Sequence, residues 1–125
     1  MDIHIRRTRI ITAALVFALA GAAQAAQMFT PPLQGAAGTA LQCNILNASN
    51  RDRDLTIRFL DQDGNPTLPD FVVQNMPPGF VAGTAQGTVV GTRYCHFIVQ
   101  GGKNEYRASG CIISGGKCIS AVPAQ

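Results

Sequence analysis

Leu41-Gln42-Cys43-Asn44-Ile45-Leu46-Asn47 and Tyr94-Cys95-His96-Phe97-Ile98-Val99 are the two stretches that decide the fold. The first places Leu41, Cys43 and Ile45 on one face and Gln42 and Asn44 on the other, the period of a half-buried strand. The second is apolar on both faces, as a central strand is. Working outward, Leu55-Thr56-Ile57-Arg58-Phe59 alternates like the first stretch. Asn47-Ala48-Ser49-Asn50-Arg51-Asp52 between them is turn chemistry, which predicts that these two runs pair antiparallel. Asp63-Gly64-Asn65-Pro66 ends the second of them, because Gly tolerates positive φ and Pro cannot continue a ladder. A short strand is expected over residues 70–74, stopped by Pro77-Pro78-Gly79. Weaker, Gly-spaced strands are expected over 80–84 and 88–90. Residues 106–113 and 117–122 read as a last hairpin around Ser114-Gly115-Gly116.

Seven or eight short strands at this spacing predict an all-β fold, a two-sheet antiparallel sandwich that is immunoglobulin-like in outline. A small barrel is the alternative architecture. The chain divides into residues 1–25 as a signal peptide, 26–40 as an extended and loosely held N-terminal arm carrying Pro31 and Pro32, and 41–125 as the sandwich domain. With no tryptophan and only two tyrosines, the core falls to Val, Ile, Leu and Phe.

Four cysteines allow three pairings. Cys111 and Cys118 sit near the ends of the last hairpin, directly opposite one another if the turn falls at Ser114-Gly115, close enough to bridge. Cys43 and Cys95 then remain to join the first alternating strand to the central one. Two disulfides, Cys43–Cys95 and Cys111–Cys118, are therefore the expected crosslinks. Zinc and redox dithiol sites want closely spaced pairs such as C-x-x-C, and six residues separate the nearest pair here.

The N-terminus is read as an address. Arg6, Arg7 and Arg9 precede a mostly apolar run over residues 10–20, and small residues lead to Ala23-Gln24-Ala25, the three parts of a secretory signal. The run has about ten apolar positions against the roughly twenty a membrane-spanning helix needs, so no stable membrane insertion is expected after cleavage. Arg6-Arg7 shares only its arginines with a twin-arginine signal, and the ordinary unfolded-export route is expected. The first cysteine is Cys43, which leaves a lipid anchor no attachment point. The expected home is secreted or periplasmic, where cysteines oxidise. Removing the leader takes three of ten basic and one of seven acidic residues, leaving seven against six. A nucleic-acid binder keeps a patch of Lys and Arg, and none is expected here.

Each candidate for chemistry has a plain structural reading beside it. His96, the one histidine after the leader, would need Ser49, Ser109, Ser114 or Ser120 as nucleophile, and no Gly-x-Ser-x-Gly elbow surrounds any of them. Its period places it on a sheet face with Tyr94 and Ile98. Asp61-Gln62-Asp63-Gly64-Asn65 lacks the spacing and closing glutamate of a calcium loop, so it reads as a turn. Arg51-Asp52-Arg53-Asp54 reads as a solvated turn. Asn47-Ala48-Ser49 fits the N-glycosylation pattern. Gly101-Gly102-Lys103-Asn104-Glu105 lacks the Ser/Thr of a phosphate loop. No catalytic residue, metal ligand or cofactor is expected.

Leu41-x-Cys43, Asn47-x-Ser49, Asp63-Gly64, Pro78-Gly79, Tyr94-Cys95-x-Phe97 and Arg107-Ala108-Ser109 together resemble small secreted bacterial β-sandwich proteins of uncharacterised function. The resemblance implies a disulfide-linked β fold and an extracytoplasmic home, and it implies no activity. Pilus subunits are also exported, disulfide-bonded sandwiches that polymerise through an alternating N-terminal strand. Here that segment offers only Met28, Phe29 and Leu33, broken by two prolines, and the usual penultimate aromatic is replaced by Val122-Pro123-Ala124-Gln125. The expectation is a non-enzymatic binding or structural module of the envelope or extracellular space, with a protein or glycan partner held by loops 83–93 or 101–105. A self-associating surface or pilus-like component is the alternative, and a small hydrolase using His96 the remote one.

Overall fold

The computed structural model describes residues 25–87 and 89–125. The expected leader therefore lies outside the described residues except for Ala25. Nine strands follow in order: β1 (Ala25–Phe29), β2 (Leu33–Gly35), β3 (Ala40–Asn47), β4 (Arg53–Asp61), β5 (Phe71–Met76), β6 (Val81–Gln86), β7 (Gly91–Gln100), β8 (Tyr106–Ser114) and β9 (Lys117–Pro123). A 3-10 turn, Lys103–Glu105, precedes β8. Among the described residues no helix is long and apolar enough to cross a membrane.

Two antiparallel sheets pack face to face. One has the order β1-β7-β4-β5, with β2 continuing along the same β7 edge as β1, and the other has the order β6-β3-β8-β9. The all-β, two-sheet sandwich is thus the architecture. Its core is the inward row of each central strand: Leu41, Cys43 and Ile45 from β3, Leu55, Ile57 and Phe59 from β4, Cys95, Phe97 and Val99 from β7, and Ala108 and Ile112 from β8. The period-two pattern generates this directly, since alternate residues of a strand point to the same face. β7 is a central strand, with β1 and β2 along one edge and β4 along the other.

Pairing differs from expectation in one respect. β3 and β4 do not pair with each other: β3 lies between β6 and β8, and β4 lies between β7 and β5. Their turn-rich connection crosses from one sheet to the other. Asn47 makes that crossing, with no exposed surface. Its side-chain Nδ2 donates to Arg51 O (2.8 Å) and Met76 O (2.9 Å), and its Oδ1 accepts from the Ser49 amide (3.0 Å) and hydroxyl (2.6 Å). A buried amide with every group satisfied pins three chain segments at once.

Residues 26–35 run extended and 36–39 turn into β3, but the segment is not a loose arm: Met28 and Leu33 are buried in the core. Pro31-Pro32 breaks the strand, and the Thr30 hydroxyl bridges the gap by accepting from the Cys95 amide (2.9 Å). The expected strand over 88–90 is not formed by Val89 and Val90, and Thr88 lies outside the described residues; the chain re-enters a sheet only at Gly91.

Both expected disulfides are present, Cys43–Cys95 and Cys111–Cys118. The first joins the two sheets through the core. The second ties β8 to β9, though not by direct opposition. The turn falls at Gly115-Gly116, both at positive φ, so Cys118 faces Ile113 and Cys111 faces Ala121, with a bulge between. Two disulfides are compatible with an oxidising compartment.

Candidate functional site

The outward face of the β1-β7-β4-β5 sheet gathers a group of recognition-type side chains. Register puts Phe29 beside His96 and His96 beside Arg58. Just before β5, Asp70 completes the row: its Oδ1 accepts from Arg58 Nε at 2.9 Å. The Phe29 ring lies flat on the His96 imidazole, centroids 4.3 Å apart and planes within 6°. Tyr94 stands at 6.3 Å from Phe29, tilted by 49°. Aromatic, aromatic, guanidinium and carboxylate therefore follow one another across β1, β7 and β4 to the residue that leads into β5.

His96 is only 7% exposed although it faces outward, because Phe29 covers it. Its Nε2–H donates to Gln27 Oε1 at 2.9 Å. Burial pushes its pKa below 6.5 and the nearby Arg58 charge pushes the same way, with Asp70 opposing both. The imidazole is neutral at pH 7 and acts as a flat support for Phe29. Phe29 itself is 41% exposed and presents one ring face outward. Beside this row lies a shallow hollow of about 220 Å³, lined by Ala25, Asp54, Thr56, Gln74, Ile98 and Gln100 among others. Enclosed small-molecule sites are larger, at roughly 300–1,000 Å³. The arrangement is built to lie against a partner rather than to swallow one.

The other expected candidates are placed elsewhere and are used by the fold. Ser109, Ser114 and Ser120 belong to β8 and β9 in the opposite sheet, and Ser49 sits in the turn held by Asn47. The structure brings none of them to His96. Asp61 Oδ1 accepts from the amides of Asp63 and Asn65 (both 2.9 Å), so this carboxylate closes its own turn. Arg51, Asp52 and Asp54 are exposed, as expected of a solvated turn, whereas Arg53 is half-buried and already belongs to β4. Arg53 reaches both Glu105 oxygens (2.8 and 2.9 Å), and the Asp54 carboxylate accepts from the Asn75 amide.

The expected binding loops shrink. Gly83 to Gln86 belong to β6 and Gly91 to Arg93 to β7. The 101–105 corner is occupied by its own side chains: Glu105 caps Gly102 N (3.1 Å) while pairing with Arg53, and the Tyr106 hydroxyl donates to Gln100 O. Asn47, read as a glycosylation acceptor, has its nitrogen buried and both N–H groups committed, so the folded chain offers no nucleophile there. What sequence reasoning missed is the Phe29–His96–Arg58–Asp70 row. Each member sits on an outward parity position, but only the register between strands aligns them.

Comparison with protein-family models, with curated proteins and with solved structures finds no match to this chain.

Proposed function

We propose that this is an exported, non-enzymatic β-sandwich that binds a protein or glycan partner in the periplasm or outside the cell, through the outward face of the β1-β7-β4-β5 sheet. The observation that carries the reading is the row Phe29–His96–Arg58–Asp70 with Tyr94 alongside. An exposed ring on a rigid aromatic support contributes area at little entropic cost, and a paired Arg–Asp beside it offers both donors and acceptors. The His96 environment supports binding over catalysis: its Nε2 is committed to a carboxamide, not to a nucleophile. The segment a pilus-like subunit would donate, β1, is paired with its own β7, which supports a self-contained module over strand donation.

The test is a glycan array and isolated envelope preparations probed with the oxidised protein and with Phe29→Ala and Arg58→Ala. Saturable binding that falls about tenfold in each variant, while circular dichroism is unchanged, is the expected result. Binding that survives both substitutions, or a hydrolytic turnover abolished by His96→Ala, overturns it.

A further inference from the structure

A β-sandwich has four edge strands, and each presents unpaired backbone groups that can template pairing with another chain unless something blocks it. Two edges here are blocked. The β1/β2 edge is broken by Pro31-Pro32, and Phe29 exchanges both backbone hydrogen bonds with Gln125 (2.9 and 3.0 Å). β9 carries Lys117, Pro123, a bulge and a disulfide. The other two edges, β5 and β6, approach each other on the opposite side of the sandwich. Neither Phe71–Met76 nor Val81–Gln86 contains a charged residue or a proline. Exposed Phe71, Val72, Phe80 and Val81 line that side.

β5 is the more competent of the two, since Phe71-Val72-Val73 is a run of strand-forming residues whereas β6 is interrupted by Gly83. Its free backbone groups can be identified. Thr67 N donates to Phe59 O, so the odd-numbered residues of β4 direct their backbone groups toward the β5 side. Leu55 and Ile57 therefore bond Val73 and Phe71, leaving the groups of Val72 and Gln74 pointing outward.

We propose that β5 is a self-association edge: a second copy pairs its own β5 antiparallel about a two-fold axis through Val72, fusing two sheets into one. The chemistry of the strand is self-complementary in that register. Opposed residues must share a face, so Val72 meets the partner's Val72, Phe71 meets the partner's Val73, and Asp70 meets the partner's Gln74. Carboxylate then faces carboxamide twice, and no like charges meet. Moving the axis to Val73 would set Asp70 against Met76 and run the ladder through Asn75, which turns away at φ 54°. A second copy fits better than an unrelated peptide because the strand supplies its own complement. The fused sheet would carry two binding rows on one face, which raises avidity for a repetitive partner.

Sedimentation of the oxidised protein over a concentration series from micromolar to millimolar tests this. A reversible monomer–dimer equilibrium is expected. Val72→Lys should weaken it at least ~tenfold by setting two ammonium groups across the axis, and Gln74→Lys should strengthen it about threefold to tenfold by facing Asp70. Val81→Lys on β6 should leave it unchanged. A monomer at every concentration overturns the proposal, as does a dimer broken by Val81→Lys but not by Val72→Lys. Neither result bears on Phe29 and Arg58 binding, so the two readings fail separately.

Discussion

The two disulfides of this molecule occupy opposite surroundings. Cys43 and Cys95 have no exposed surface and join the central strands of facing sheets across 52 residues of chain. Cys111 and Cys118 join neighbours in one hairpin seven residues apart, on the outward face of the β6-β3-β8-β9 sheet. The core bridge is built into the packing: a Cβ on Gly110 would come 3.0 Å from Cys95 Sγ and 3.0 Å from Leu33 Cδ1, so any larger residue there would push the bridge or Leu33 aside. The hairpin bridge holds a strand that contributes almost nothing to the core, since only Val122 of β9 is even partly buried. One crosslink spans the two sheets, and the other fastens an edge strand to its neighbour.

The difference is broken most directly by removing the core bridge. The double substitution Cys43→Ala/Cys95→Ala is expected to cost about 4 kcal/mol from the longer closed loop alone. Urea denaturation of the variant against the oxidised wild type reads this as a lowered midpoint. A loss no larger than that from removing the hairpin bridge would mean that the inter-sheet link is not what stabilises the core.

Asn47→Ala comes next. It leaves Met76 O and Arg51 O without their donors where the chain crosses between sheets, a cost of about 3 kcal/mol. An apolar residue of similar size should not rescue it, because the missing element is the pair of N–H donors rather than volume. Equal stability of Asn47→Leu and wild type in the same titration would refute the role assigned to the amide.

Removing the hairpin bridge, Cys111→Ser/Cys118→Ser, should cost at most about 2.5 kcal/mol. More telling is where the effect appears. Hydrogen exchange should rise over Lys117–Pro123 while β3, β4 and β7 keep their protection, because β9 buries little of its own. Uniform loss of protection across both sheets would show that the two bridges are not independent.

Local patterning and long-range register divide cleanly in this chain. Alternation in Leu41–Asn47 and Leu55–Phe59 identified both strands and the residues they bury, since parity is a local property. It could not say that they belong to different sheets, because period two is the same whichever neighbour a strand has. The hairpin cysteines were legible from the Ser114-Gly115-Gly116 turn, but a one-residue bulge lies beyond spacing arguments and moved the opposition of Cys111 and Cys118. Asn47-Ala48-Ser49 matched a modification pattern while its burial depended on Met76, far along the chain. The Phe29–His96–Arg58–Asp70 row was illegible for the same reason. Each residue has the right parity, yet only the registers of β1 on β7, β7 on β4 and β5 on β4 bring them side by side.

The smallest expected effect concerns that row and has a defined sign. Burial first and Arg58 second hold His96 below its ordinary 6.5, with Asp70 opposing; Gln27 and Phe29 on β1 carry no charge. The unfolded chain therefore takes up a proton before the folded one as pH falls. The contribution of neutral His96 is complete above about 6.5 and is lost as acidity rises through the folded-state value. Subtracting the curve of a variant without the imidazole isolates the slope. Stability measured from pH 7.5 to 5 in wild type and in His96→Gln should diverge below 6.5, with wild type losing more. Parallel curves would mean that the imidazole is as easily charged in the sheet as in the open chain, and that Phe29 rests on a support no drier than the solvent around it.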